Sequence, residues 1–80
     1  MAGNAKLHKL DLSGEICPFT FIETKLKLEE LEEGEILELI IDDPTAVRNL
    51  PKSVISEGHE VIEIKKCDTK WLIAIRKRKT

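Results

Sequence analysis

Gly14-Glu15-Ile16-Cys17-Pro18 marks the point where an extended segment gives way to a helix, and the rest of the chain reads outward from it. Pro18 suits the first helical position, because its fixed φ matches a helix start and its missing N–H would have no intrahelical partner there. Cys17 then falls at the N-cap, facing the unpaired N–H groups of the first turn and the positive end of the helix dipole. Both favour thiolate over thiol, and such settings bring a cysteine pKa from about 8.5 into the range of roughly 3.5 to 7.5. The stretch therefore offers a nucleophile. The alternative is a cysteine that serves only as a small buried apolar residue.

Upstream, Lys6 to Leu12 places Leu10 and Leu12 on one alternating face and predicts the first strand, with His8 an ordinary strand residue. Ser13-Gly14 breaks it. Downstream, a helix is expected from Pro18 to about Glu32, stopped by Gly34. At about 100° per residue, Phe21, Thr24, Leu28 and Leu31 form one stripe and Phe19, Ile22 and Leu26 the opposite one. The longer stripe is assigned to the core. Phe19, Ile22 and Leu26 are then left as an apolar patch running away from Cys17, which suggests a docking surface unless a loop or the N-terminal residues cover it.

Glu35 to Ile41 is almost continuously apolar and predicts a central strand covered over most of both faces. Asp42-Asp43-Pro44 ends it, and Asp43 is expected to cap the following turn. Pro51 should interrupt the next helical segment, giving a turn at Thr45 to Asn49 and a separate helix from Pro51 to Glu57, with Gly58 as its stop. Glu60 to Lys65 and Trp71 to Arg76 read as an antiparallel hairpin around Asp68-Thr69-Lys70. The order βαβαββ implies an α/β two-layer sandwich, a mixed four-stranded sheet with two helices on one face. Residues 1–80 are expected to be a single domain with residues 1–5 frayed.

The chain is 41% hydrophobic and 35% charged, which fits a globular domain rather than a disordered one. No apolar run reaches transmembrane length and no secretory h-region precedes Lys9, so a cytoplasmic protein is expected. Cys17 and Cys67 are fifty positions apart without CxxC spacing, which argues against a metal site, and Cys67 reads as an incidental thiol. The adjacent Asp42 and Asp43 are weak evidence for a cation. Arg76-Lys77-Arg78-Lys79 lacks the aromatic platform or broad basic face of a nucleic-acid binder and reads as a solvated end. No cofactor is implied.

Leu10-Asp11, Gly14, Cys17-Pro18, Asp42-Asp43-Pro44, Arg48 and Leu50-Pro51 together resemble, from about Leu7 to Arg76, the TusA-like (SirA-like) sulfur-carrier proteins. Thr20 stands where that family usually has the second proline of Cys-Pro-x-Pro, and Glu15 where an apolar residue is more frequent. A negative charge at Glu15 opposes thiolate formation at Cys17. The resemblance implies that Cys17 accepts sulfane sulfur as a persulfide and relays it, with Gly14, Pro18 and Thr20 supporting the motif and Phe19, Ile22, Leu26, Asp43 and Arg48 meeting partners. It also places the Asp42 loop near the cysteine. The implied partners are a sulfur donor such as a cysteine desulfurase and a downstream acceptor. Two other readings stay open: a non-catalytic interaction or regulatory module using the same patch, and a thiol redox protein, which the lack of a nearby resolving cysteine disfavours.

Overall fold

Two helices lie on one face of a four-stranded sheet in a computed structural model that describes residues 7–16 and 19–78. The elements are β1 (Leu7–Asp11), α1 (Phe19–Glu30), β2 (Ile36–Ile41), α2 (Pro44–Ser56), β3 (Glu60–Cys67) and β4 (Lys70–Arg76). The sheet order is β1-β2-β4-β3, with β1 parallel to β2 and the other neighbours antiparallel. This is the expected βαβαββ sandwich. The expectations for residues 1–5, and for Cys17 as N-cap and Pro18 as first helical residue, lie outside the described residues.

Register separates the two faces. Leu37, Leu39 and Ile41 of β2 stand beside Ile75, Ile73 and Trp71 of β4, and all but Trp71 are completely buried. They share one core with Leu12, Leu28 and Leu31 and with Ala46, Leu50 and Val54 of α2. Each large aliphatic side chain buried here contributes about 1.5–3 kcal/mol. The other β2 face, Ile36, Glu38 and Ile40, is only half-buried and carries no helix. Expecting cover on both faces was therefore wrong. The apolar run follows from a central position in the sheet, since side chains on the open face are screened by neighbouring strands rather than by a second layer.

Helix α1 stops at Glu30, two residues before the expected end. Its terminal carbonyl groups are taken early: Leu28 O accepts Lys77 Nζ at 2.7 Å and Leu31 N–H at 3.1 Å, while Glu32 N–H turns to Glu35 Oε1 at 3.1 Å. Gly34, at φ +93°, is not a helix cap but the third residue of a turn closed by Glu35 N–H on Glu32 O at 3.0 Å. On this helix Thr20, Thr24 and Leu28 are buried, Leu31 is buried just beyond its end, and Phe21 only packs against the core edge.

The split of the second helix is corrected. Helix α2 is continuous from Pro44 to Ser56 with Pro51 inside it. A proline in a helix interior costs about 3 kcal/mol. Burial of Ala46, Leu50 and Val54 at four-residue spacing against the sheet exceeds that cost when each large side chain supplies about 1.5–3 kcal/mol. The helix ends as expected at Gly58, φ +99°, where Gly58 N–H reaches Ile55 O at 2.9 Å and His59 N–H reaches Val54 O at 3.0 Å.

The hairpin turn is Asp68-Thr69, with Asp68 at φ +57°, and Lys70 belongs to β4. A register shift between Val61 and Glu63 leaves Ile62 exposed. The basic tail is not simply solvated. Arg76 and Arg78 both reach Glu60 Oε1, at 3.0 and 3.3 Å, and Lys77 binds the end of α1.

Candidate functional site

The loop between β1 and α1 is built by three short-range constraints. Leu12, fully buried, continues the parallel pairing by donating its N–H to Ile40 O at 2.8 Å. Asp11 Oδ1 accepts Ser13 N–H at 2.9 Å, and Glu15 N–H closes a turn on Leu12 O at 3.0 Å. Gly14 is the third residue of that turn at φ +85°, a conformation L side chains rarely adopt although the space around it is open. The chain leaves through Ile16, whose carbonyl accepts Phe19 N–H at 2.8 Å, and α1 starts at Phe19.

Asp42 ties this loop to the end of β2. Both its carboxylate oxygens accept the Gly14 N–H, at 3.0 and 3.1 Å. Asp43 occupies the N-cap of α2, but its side chain makes no cap hydrogen bond; Pro44 at the helix start removes one N–H that would need a cap. The hydrogen-bonded link from the end of β2 to this loop thus runs through Asp42, which sequence reasoning passed over in favour of its neighbour. Arg48 is exposed on α2 and forms no ion pair with any described residue.

Phe19, Ile22 and Leu26 are 57%, 48% and 56% exposed, on the side of α1 opposite Thr20, Thr24 and Leu28. Ile16, at 59%, adds a fourth apolar side chain from the loop. Its exposure had no periodic signal, because it precedes the helix. Thr20 is completely buried; its carbonyl accepts Thr24 Oγ1 at 2.7 Å, while its own hydroxyl has no hydrogen-bond partner among the described residues. Cys17 and Pro18 lie outside the described residues, between Ile16 and Phe19.

Glu15 does not stand as an isolated charge. A hydrogen bond with the Glu23 carboxyl, then desolvation, then the Glu23 charge raise its pKa above the ordinary value of 4.5. The pair joins the loop to α1, one carboxyl before the helix and one a turn into it. Cys67 is far along the chain, exposed at the end of β3. Of the two histidines, His8 Nε2 lies 3.1 Å from Glu35 Oε1 and His59 Nδ1 accepts Arg78 N–H at 3.2 Å. Neither neighbours the loop through any of these bonds.

The site is that of a small two-layer α/β protein in which a pinned turn at Gly14 precedes, and a helix with an exposed apolar face follows, the Cys17-Pro18 pair of the sequence. Residues 8–77 match the family described as sulfurtransferase TusA, and the chain belongs to that family. It is 60% identical over 70 residues to a protein of Archaeoglobus fulgidus provisionally named a sulfur carrier, covering 86% of this chain and 80% of that one. A similarly named protein of Thermotoga maritima is 43% identical over 68 residues, 84% and 86% of the two chains. The crystal structure of a SirA-like protein from Desulfitobacterium hafniense has the same fold, with a TM-score of 0.76 at 24% identity over 91% of this chain and 99% of that one.

Proposed function

We propose that this protein is a sulfur carrier that holds sulfane sulfur as a persulfide on Cys17. The observation that carries the reading is the membership of the sulfurtransferase family together with a Cys17-Pro18 pair lying between a pinned turn and the first turn of α1. In the first step the Cys17 thiolate attacks the outer sulfur of a donor persulfide. The S–S bond of the donor breaks, its inner sulfur leaves as thiolate, and Cys17 bears S–SH. In the second step an acceptor nucleophile attacks the same outer sulfur and Cys17 leaves as thiolate. Sulfur and electrons balance without an external oxidant.

The carrier must meet donor and acceptor in turn, and both encounters need the cysteine loop accessible. Phe19, Ile22 and Leu26, extended by Ile16, form the apolar part of the recognition surface, and Asp43 and Arg48 are assigned its polar contacts. Gly14 sets the turn that precedes Cys17 in sequence, Thr20 packs the first turn of α1 onto the core, and Pro18 is assigned to the supporting motif. The donor is a protein such as a cysteine desulfurase, the acceptor a protein or small molecule, and the setting the cytosol. Residues 1–80 act as one domain. No helix of the described residues is long and apolar enough to cross a membrane.

The test is intact mass after incubation with a cysteine desulfurase, its cofactor and cysteine, for wild type, Cys17→Ser and Cys67→Ser. The expected result is a thiol-sensitive gain of one sulfur on wild type and Cys67→Ser but not on Cys17→Ser. Absence of loading, with Cys17 also slow to alkylate at neutral pH, supports instead a non-catalytic module that uses the exposed patch.

A further inference from the structure

The open face of the sheet carries a groove of about 250 Å³ at the end where β1 and β2 finish and β4 begins, lined by Asp11, Ile40, Cys67, Lys70, Trp71 and Leu72. Register explains why these residues meet. Asp11 pairs with Ile40, Ile40 with Leu72, and Cys67 with Lys70, and Lys70 alternates with Leu72 along β4. Five of the six side chains therefore stand on the face without helices. Ile40 and Leu72 make an aliphatic floor in the middle. Asp11, from β1, stands at one end, and Lys70 with Cys67, from the hairpin, at the other.

The two charged walls are of opposite sign and do not neutralise one another by contact, since no ion pair within 4.0 Å joins them. Hydrogen bonding from Ser13 holds the Asp11 carboxyl below the ordinary carboxylate range, so it is ionised at neutral pH. Lys66 lies over the Trp71 ring at 5.2 Å from its centroid, on the other face of the sheet, while Lys65, paired with Leu72, adds a second lysine to the hairpin side of the groove. An anion alone would meet Asp11, and a cation alone would meet Lys70. A zwitterion with an apolar body satisfies both ends and the floor. An engineered apolar cavity of about 150 Å³ admits benzene, so this groove has room for a side chain of that order together with the charged groups beside it.

We infer that this groove binds a free α-amino acid with an apolar or sulfur-bearing side chain, its ammonium group at Asp11, its carboxylate at Lys70 and its side chain over Ile40 and Leu72. The site needs neither Cys17 nor a partner protein, and its occupancy is independent of sulfur loading.

The test is a backbone-amide NMR titration with L-methionine, N-acetyl-L-methionine and L-methionine methyl ester, on wild type, Lys70→Gln and Asp11→Asn. The asparagine keeps an oxygen for Ser13 N–H, and the spectra report directly that each variant is folded. The expected result is saturable shifts at Ile40, Lys70 and Leu72 with methionine, and affinity about tenfold weaker when either charge is removed from ligand or protein, as loss of one charge-assisted contact implies. Equal binding of all three ligands would reduce the groove to a non-specific apolar contact and overturn the inference. So would the absence of shifts at these residues with methionine, or binding of the capped, peptide-like form in preference to the free amino acid.

Discussion

The Asp42 carboxylate holds the Gly14 N–H with both oxygens, at 3.0 and 3.1 Å, joining two loops that are 28 residues apart in sequence. It makes the end of β2 a brace for the segment leading to Cys17. Asp42→Ala removes a charge-assisted bond to an exposed amide, and a cost of about 1 kcal/mol is expected. Gly14→Ala forces a methyl group into a positive-φ position and costs a similar amount, about 1 kcal/mol. Because both act on one turn, urea denaturation of the double variant should show less than the sum of the two losses. Full additivity would mean that the brace and the turn are independent.

Glu15 and Glu23 predict a pH dependence of a defined sign. The folded pKa of Glu15 is raised, first by its bond to Glu23, so the pair contributes stability below the unfolded value of 4.5 and loses it as pH rises through the folded value. Glu23→Gln removes the charge partner and should flatten this slope. With less negative charge near the loop, alkylation of Cys17 at neutral pH should become faster. Denaturant midpoints from pH 4 to 7, paired with iodoacetamide rates in a Cys67→Ser background, check both halves; unchanged rates would separate the carboxyl pair from the thiol.

His59 works in the opposite direction. Burial first, then the Lys77 charge, lower its pKa below 6.5, and its Nδ1 must be unprotonated to accept Arg78 N–H. The neutral ring therefore contributes stability above pH 6.5 that is lost as pH falls through the folded value. His59→Gln should flatten the melting temperature between pH 8 and 5, and an unaltered pH profile would show that this contact is not linked to folding.

How much of this was legible in the sequence depended on whether the determining partner was local. The succession of strands and helices along the chain, the helix faces and the Gly58 stop follow from periodicity and turn chemistry, because Leu28, Leu50 and Val54 carry their own spacing. The end of α1 did not, since it is set by Lys77 Nζ on Leu28 O, 49 residues away. Pro51 was misread because local helix physics forbids it, while the energy that overrides it comes from sheet contacts of Leu50 and Val54. In the candidate site, the Gly14 turn and the exposure of Phe19, Ile22 and Leu26 could be picked out from turn chemistry and helical spacing. Asp42 could not be ranked above Asp43, because adjacent carboxylates differ only in which way the chain turns them.

Leu26 and Leu28 offer a direct separation of folding from recognition, because they sit two residues apart on one helix with opposite environments. Leu28 is 1% exposed and Leu26 is 56% exposed. Leu28→Ala leaves a cavity in the core and should cost about 2–5 kcal/mol, a large share of the stability of so small a domain. Leu26→Ala withdraws a side chain already in water, and its effect on unfolding should stay within about 0.5 kcal/mol. If Phe19, Ile22 and Leu26 meet the sulfur donor, Leu26→Lys should leave the unfolding curve and the alkylation of Cys17 by a small reagent unchanged, yet slow persulfide loading from the donor protein. Small-reagent chemistry bypasses docking and protein-to-protein transfer requires it, so the ratio of the two rates isolates the patch. A Leu26→Lys protein that loads as fast as wild type would move the recognition surface off this face of α1, toward the Asp42-Asp43 loop and Arg48.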